Sequence, residues 1–494
     1  MRDVAELLDI AAMRRGQEIA IDESERRVPY AELRAAAESG AARLIAAGVR
    51  AGDRVALMAP NGVAFVAGFF AIVRAGAIVV PLNDHYRRTD LLHFMQSSDA
   101  AALVAARALA GLCAEVLQAH GRPCPLFEAE ALIAPGDSPA IERPAIDRQD
   151  AVLFQFSSGS TGTPKRIART HENLLYELAA LNEALAVDPA DRFLGVAPFS
   201  HVNGLMRSML TSLYGGATLH PLPRFDRRAV ANLIEQERLT AFIGVPFMFS
   251  LLAQAHYHRI PDFGSLRLCV SASAPMPVAH NRLFHQRFGR WVRQLYGSTE
   301  TGSISVNLDA RIEASLDSVG TPLPGVEVEI FREDGSPALP DEVGEVAVRS
   351  PAAITGYLDL EEVNREAFRD AWFLTGDLGF RDAEGRIVLR GRKKFQINKG
   401  GYKIDPIEIE RVLEEHPSVA EAAVVGVPTE YGDERIKAVI VRASPCGIEE
   451  IVDYCRPRIA DFKIPSVIEF REALPKSPTG KVRRALLLDD AEEG

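Results

Sequence analysis

The stretch AVLFQFSSGSTGTPK, Ala151 to Lys165, decides how the rest of the chain is read. Ala151 to Phe156 is apolar and aromatic and is followed by turn formers, the pattern of a buried strand. It gives way to Ser157, Ser158, Gly159, Ser160, Thr161, Gly162 and Thr163, then Pro164 and Lys165. Glycines let a backbone wrap closely around an anion, hydroxyls donate hydrogen bonds, and the lysine adds a point charge. The loop reads as a phosphate cradle. It is not the common G-x-x-x-x-G-K-[ST] form, because two residues separate the glycines and proline precedes Lys165. A surface Ser/Thr/Gly loop has the same composition, but a lysine closing it behind a buried strand favours the anion.

Outward from this loop, 494 residues are too many for one simple core, so two or more domains are expected. Hydrophobic residues at 47% and charged residues at 25% are ordinary for a globular protein. A net charge of −11 argues against nucleic acid as the main partner, since phosphate-backbone binding needs a basic surface. Five cysteines (Cys113, Cys124, Cys269, Cys446, Cys455) are scattered without metal-ligand spacing, which fits a reducing, cytoplasmic setting. The N-terminus carries acids early and lacks the apolar core of a signal peptide. Gly62 to Leu82 is apolar enough to raise a membrane span, but Arg74 sits within it. A mid-bilayer arginine costs about 2.5–3.5 kcal/mol. A buried helix followed by a strand is expected, with no membrane span.

Helix-like and strand-like segments alternate through most of the first 300 residues, which predicts layered α/β architecture with mostly parallel sheets. Tyr30 to Gly48 has helical spacing, Arg54 to Ala59 is a short strand, and 120 to 149 is a proline-rich, irregular connector. Thr170 caps a helix with Leu174, Leu178, Leu181 and Leu185 on one face. From about 317 to 390, short strands between Pro/Gly turns suggest a small β-rich unit closing the large domain. GRKKFQINKGG, Gly391 to Gly401, is basic and glycine-flanked, and marks a domain boundary. Residues 1–393 form the large N-terminal domain and 394–494 a small α+β domain ordered β-α-β-β-α-β.

Three further segments carry chemistry. YGSTETG, Tyr296 to Gly302, joins hydroxyls to a carboxylate, and Glu300 beside a polyphosphate suits Mg²⁺; a helix capped by Thr299 is the alternative. In WFLTGDLG, Asp377 in a glycine turn suits paired ribose hydroxyls or is simply a β-turn aspartate. Lys481 in SPTGKVRR lies in a loop near the C-terminus, where a plain basic tail has the same look.

Together with PFSHVNG (Pro198 to Gly204), SASAP (Ser271 to Pro275), GEVAVRSPAAITGY (Gly344 to Tyr357), GYKIDPIEIE and PKSPTGK, these motifs occur in order along nearly the whole chain. The series resembles the adenylate-forming superfamily, which includes acyl-CoA synthetases, luciferases and peptide-synthetase adenylation domains. The resemblance implies a mobile C-terminal domain that brings the catalytic lysine, Lys481, to the site. It places ATP phosphates on Ser158 to Lys165, with Thr161 nearest the chemistry. Adenine would lie between Ala272, Ser273, Ala274, Pro275 and the Tyr296 ring, followed by Gly297 and Ser298. Thr299 would meet the α-phosphate, Glu300 the magnesium, and Asp377 with Arg392 the ribose.

The resemblance makes Lys394 a hinge, about which Lys399, Gly400, Gly401 and Tyr402 would replace Lys481 for a second half-reaction. His201 would gate the acyl site from the thiol entry. The acyl pocket would be lined by Val202, Asn203, Gly204, Phe242, Pro246 and Ala272, and by Leu295, Gly297, Gly302 and Ser303 opposite. A buried amide needs a partner, so Asn203 marks a polar substituent on the acid. Arg166 and Ala371 stand where the family has glycines, and Asn398 where a basic residue is frequent.

The implied activity is ATP-dependent conversion of an aromatic or short-to-medium carboxylic acid to acyl-AMP, then to the coenzyme A thioester. Transfer to an amine, or to a carrier-protein thiol in trans, is the competing outcome. A nucleotide sensor without catalysis is the competitor from another class. Lys165, Thr161, Glu300, Asp377 and Lys481 together speak against it.

Overall fold

In the first sheet, Val55, Val79, Val80 and Val104 lie in short β-branched runs that end at glycine or polar turns. The structure, a computed structural model, describes residues 1–494 except 24–25, 122, 135–142, 158–164, 393–396, 405, 431, 476–481, 483 and 489–494. The sheet order is Leu126–Glu128, Ala102–Ala105, Arg54–Met58, Ile78–Leu82, Ala151–Ser157 and Lys165–Thr170. The first five strands are parallel and the sixth antiparallel, with Ser157 opposite Lys165. The segment 120–149 is therefore not wholly irregular. Leu126–Glu128 adds an edge strand and Ala129–Leu132 a helical turn whose Leu132 is buried. The three apolar residues Leu126, Phe127 and Leu132 are too short a run to show a period.

The apolar run after Gly62 is the helix Val63–Arg74, buried at every residue but Ala64. Arg74 survives in the core because its Nη1 lies 2.7 Å from Asp9 Oδ1. Among the described residues no helix is long and apolar enough to cross a membrane. Thr170 caps His171–Ala184 reciprocally with Asn173, and Leu174, Leu178 and Leu181 are buried along it.

A second, larger sheet begins with parallel strands. Their spatial order is Ile19–Glu23, Thr218–Pro221, Arg192–Gly195, Ala241–Gly244, Leu268–Ala272 and Arg293–Ser298. The ladder then turns antiparallel through Gly302–Val306, Ser318–Pro322, Ile387–Arg392, Trp372–Arg381, Gly344–Arg349 and Glu327–Phe331. The β-rich stretch after 317 thus continues the main sheet, so hydrogen bonds join it to the α/β core. This geometry positions the site. Loops leaving the carboxyl ends of parallel strands converge at one edge, where open α/β sheets bind ligands.

The C-terminal part has its own core around Ile397, Ile409, Leu413, Val424 and Ile440. It combines the hairpin Ile397–Lys399/Tyr402–Ile404 with the sheet Val419–Pro428, Glu434–Arg442, Val467–Arg471 and the helices Pro406–Glu414 and Ile448–Cys455. The expected boundary at 393/394, with the hinge Lys394, lies outside the described residues. The two parts meet through ion pairs: Arg87 Nη2 lies 2.5 Å from Asp461 Oδ2, and buried Lys463 Nζ lies 3.5 Å from Asp90 Oδ1 while also pairing at 2.5 Å with Glu408 Oε1 of its own part.

Candidate active site

The antiparallel pair Ala151–Ser157/Lys165–Thr170 brings together the two ends of the loop expected to hold phosphate. Ser158, Gly159, Ser160, Thr161, Gly162, Thr163 and the C-terminal Lys481 lie outside the described residues. Lys165, at the loop's return, has its Nζ 4.2 Å from the centroid of the Tyr357 ring. The Tyr357 hydroxyl donates to Glu300 Oε1 at 3.0 Å. Burial and that carboxylate both hold the phenol protonated. Lys165, Tyr357 and Glu300 therefore form one cluster although 192 residues of sequence separate Lys165 from Tyr357.

Glu300 sits in the turn between Arg293–Ser298 and Gly302–Val306, with Thr299 beside it. The segment is a β-turn and not a helix start, so Thr299 caps nothing. Ser298 Oγ and Thr301 Oγ1 lie 3.0 Å apart and fix the turn. Tyr296 donates from its hydroxyl to Asp377 Oδ2 at 2.7 Å. Asp377 is not in a glycine turn but inside the long strand Trp372–Arg381, opposite Arg392 in register. A bulge between Leu378 and Gly379 locally mimics the turn the glycines suggested.

The SASAP loop leaves the end of Leu268–Ala272, and Ser273 has φ +76°, unusual for a residue with a Cβ. Gln294 braces it: its Oε1 accepts from the Met276 amide at 2.8 Å. Backbone strain of this kind gathers at ligand-binding sites. Pro275 is exposed and Ala274 half-buried, leaving a face for a planar ring.

His201 follows the strand Arg192–Gly195, and its Nε2 is buried without a hydrogen-bond partner among the described residues. Burial, with the nearby Lys463 ammonium, pushes its pKa down to about 4, so the ring is neutral at pH 7. The Tyr402 ring stands edge-on to it at 4.9 Å and stacks on Phe462 at 4.0 Å. Tyr402 closes the hairpin turn Gly400–Gly401, both residues with φ above +60°. A Cβ on Gly401 would lie 2.9 Å from Val245 Cγ1, and one on Gly400 3.8 Å from Phe247 Cε1. The turn therefore rests on the large domain. Lys399 is brought to the same face, and burial lowers its pKa against the pull of Asp433.

Asn203 to Leu210 forms a π-helix, a rare form that recurs at functional sites. Its start is held close to the segment that follows the strand Arg192–Gly195, since a Cβ on Gly204 would lie 2.3 Å from the carbonyls of Ala197 and Pro198. Asn203 donates to the Gly244 carbonyl at 3.2 Å, while its Oδ1 is buried without a partner among the described residues. Val202 and Leu295 are buried in the main core, and Pro246 opens the helix Pro246–Gln254. Phe242 is fully buried, 4.4 Å from Phe249, in the core behind the strands.

Sequence reasoning missed a buried charged group next to this wall. Arg169, Glu177 and Arg207 are all within 2% of full burial. Burial works against the Glu177 charge, but Arg169 and Arg207 hold its carboxyl below the usual range. The available signal was an arginine inside the otherwise apolar run VNGLMRSML.

Comparison with known proteins follows this geometry. The model of the AMP-binding enzyme family matches residues 8–358, and that of the AMP-binding enzyme C-terminal domain residues 408–481. The chain is 34% identical over 458 residues to a feruloyl-CoA synthase of an Amycolatopsis species, covering 92% of both. It is 34% identical over 476 residues to an oxalate–CoA ligase of Arabidopsis thaliana, covering 93% of this chain and 92% of that one. A double mutant of the o-succinylbenzoate CoA synthetase of Bacillus subtilis, bound with a product analogue, superposes with a TM-score of 0.90 at 28% identity and 99% coverage of both chains. The same enzyme in complex with AMP gives 0.73, covering 99% of this chain and 98% of that one. An amide bond synthetase from Marinactinospora thermotolerans also gives 0.90 at 28% identity, covering 98% and 99%.

Proposed function

The chain belongs to the AMP-binding enzyme family, and from that premise we propose that it joins a carboxylic acid to coenzyme A through an acyl-AMP intermediate. A carboxylate oxygen attacks the α-phosphorus of ATP, pyrophosphate leaves, and the thiol sulfur then displaces AMP from the acyl carbon. Both reactants of the first step are anions, so the site has to neutralise charge and hold the line of attack. Lys165 and Lys481 serve the first need. Asp377 and Arg392 hold the ribose, and the Tyr296 hydroxyl presets Asp377 for it. Ala272 to Pro275 and the Tyr296 ring take the adenine.

Glu300 fits a magnesium ion. Tyr357 donates to Oε1, while Oε2 accepts no hydrogen bond from a described residue, and a carboxylate oxygen is the hard donor that Mg²⁺ prefers. When bound there, the ion offsets charge on the phosphates. Tyr357 and Lys165 orient the carboxylate and the loop return whatever the ion does.

One observation carries the second step: the Lys399–Tyr402 turn is seated on Val245 and against His201, where the acyl carbon would lie. The higher superposition on the product-analogue complex than on the AMP complex supports the same thioester-forming arrangement. A neutral His201 bordering the acyl site suits a gate that lets the thiol in. A cavity of about 780 Å³ at the domain contact, lined by Arg87, Arg456, Asp461 and Ser466 among others, supports coenzyme A as the acceptor. The equal TM-score to an amide bond synthetase favours an amine as the second possible acceptor. A carrier-protein thiol would have to arrive in trans. The five free cysteines support a cytoplasmic setting.

The test is pyrophosphate release with ATP, Mg²⁺ and a panel of aryl and aliphatic acids, with and without coenzyme A, products read by mass spectrometry. Acyl-CoA formation is expected. Acyl-AMP that persists beside coenzyme A but is consumed by amines would move the assignment to an amide synthetase.

A further inference from the structure

The buried group beside the acyl wall does not balance. Arg169, Glu177 and Arg207 carry two positive charges and one negative, all removed from water. The carboxylate is fully used. Glu177 Oε1 accepts from the Ser303 amide at 2.9 Å and hydroxyl at 2.8 Å, and Oε2 from Arg169 Nη2 at 2.7 Å. Arg207 donates from Nε to Ser303 Oγ at 3.0 Å, and its Nη2 is buried with no partner among the described residues. Burial lowers the Arg207 pKa only to about 10, so the guanidinium stays charged at pH 7. A charged donor left unpaired in a protein interior is strongly unfavourable, and such a site calls for an anion.

A Cβ on Gly297 would lie 2.5 Å from Arg207 Nη2, so glycine there leaves the guanidinium the room it occupies. Gly302 does the same for the other end of the group. Its Cβ would lie 2.6 Å from Glu177 Oε2 and 2.9 Å from Arg169 Nη2. Arg207 also shares the π-helix with Asn203, whose Oδ1 is likewise buried and without a partner among the described residues. Among the described residues Arg169 Nε and Nη1 are also buried without a partner, so the excess positive charge is shared by two guanidiniums, and Arg207 is the one on the segment assigned to the acyl wall.

We propose that Arg207 is a specificity-determining residue that binds a second anionic group of the substrate, making the preferred acid one with a carboxylate or sulfonate distal to the reacting carboxylate. The inference rests on the acid-activating function proposed above. A neutral acid leaves Arg207 Nη2 unpaired in the bound state, whereas a distal anion supplies the missing charge and a charge-assisted hydrogen bond. Such a requirement discriminates strongly, because an analogue lacking the group strands a buried polar atom. The distal group also explains why the wall is polar at Asn203 and Arg207 while its surroundings, Val202, Leu205 and Met206, are apolar and buried.

The experiment compares matched acids on the same carbon skeleton in the wild-type enzyme: a dicarboxylate, its monomethyl ester, an ω-sulfonate and the ω-methyl acid, in aliphatic and aromatic series. Thioester formation is read by mass spectrometry and kcat/KM taken for each. A ratio of about 10²-fold or more for the dianion over its ester is expected, and the sulfonate arm tells which anion is preferred. In Arg207→Met the ratio collapses toward one, and in Arg207→Lys it is partly kept. Removing this arginine leaves Arg169 and Glu177 as a neutral pair, and a melting temperature measured alongside confirms a folded variant. Equal use of dianion and ester by the wild type, or an unchanged ratio in Arg207→Met, would overturn the inference while leaving the ligase intact. No thioester from any acid in either series would overturn the ligase function itself, and the inference with it.

Discussion

Gly401→Ala separates the two half-reactions. Gly401 has φ +81°, and an added Cβ would lie 2.9 Å from Val245 Cγ1. Two penalties follow, and they act differently. The left-handed backbone costs a residue with a Cβ about 1–2 kcal/mol, and it does so wherever the C-terminal domain sits. The contact with Val245 exists only while the turn rests on the large domain. Val245 is 2% exposed and β-branched, so it gives way poorly. Overpacking of this kind costs about 1–3 kcal/mol, which is a factor of about 5 to 150 in rate. Gly400→Ala is the matched control, because φ is +61° there but no neighbour among the described residues comes closer than 3.7 Å. In rapid-quench assays, pyrophosphate formation should be little changed in both variants. Transfer of a preformed acyl-AMP to coenzyme A should fall by that factor in Gly401→Ala only. Equal loss of transfer in the two variants would refute the reasoning, since backbone strain alone would then explain it.

Lys463→Met should lower stability by about 3–5 kcal/mol, since it strands the buried Asp90 at the domain contact; a change below about 1 kcal/mol in urea titrations would argue against the docking. Ala371→Gly should stabilise by about 1 kcal/mol, because exposed Ala371 sits at φ +66°; no gain in denaturant midpoint would contradict that strain. His171, His201 and His220 are held neutral by burial, with pKa values down to about 4, 4 and 3. The unfolded chain then binds more protons than the folded one below about pH 6.5, so stability is full above that value and is lost as pH falls toward 4. At pH 5 each should have lost about 2 kcal/mol, and a denaturation midpoint that is flat from pH 7 to 5 would disagree.

Much of this was legible because the site chemistry is local in sequence. The strand before the expected phosphate loop was legible from its apolar run, and it pairs with the strand that begins at Lys165; the loop itself lies outside the described residues. Thr170 and its leucines follow from capping and a 3.6-residue period. What was not legible depends on the packing of distant strands. Asp377 looked like a turn residue because glycines flank it, yet cross-strand pairing draws it into a ten-residue strand and a bulge absorbs the glycine. Leu126–Glu128 joins a sheet only because Ala102–Ala105 offers it an edge. The charged group of Arg169, Glu177 and Arg207 is assembled from a strand, a helix and a π-helix, so no spacing rule reveals it. Seating of the hairpin turn on Val245 is likewise a fact of domain docking, although the two glycines already pointed to a tight turn.

The central claim is that a carboxylate oxygen attacks the α-phosphorus of ATP before coenzyme A takes the acyl group. The most direct measurement uses a dicarboxylic acid with both oxygens of the reacting carboxylate labelled with ¹⁸O, together with ATP, Mg²⁺ and coenzyme A. Mass spectrometry of the products should find one ¹⁸O in AMP and one retained in the acyl-CoA thioester. Unlabelled AMP, or ADP and phosphate in place of AMP and pyrophosphate, would contradict it.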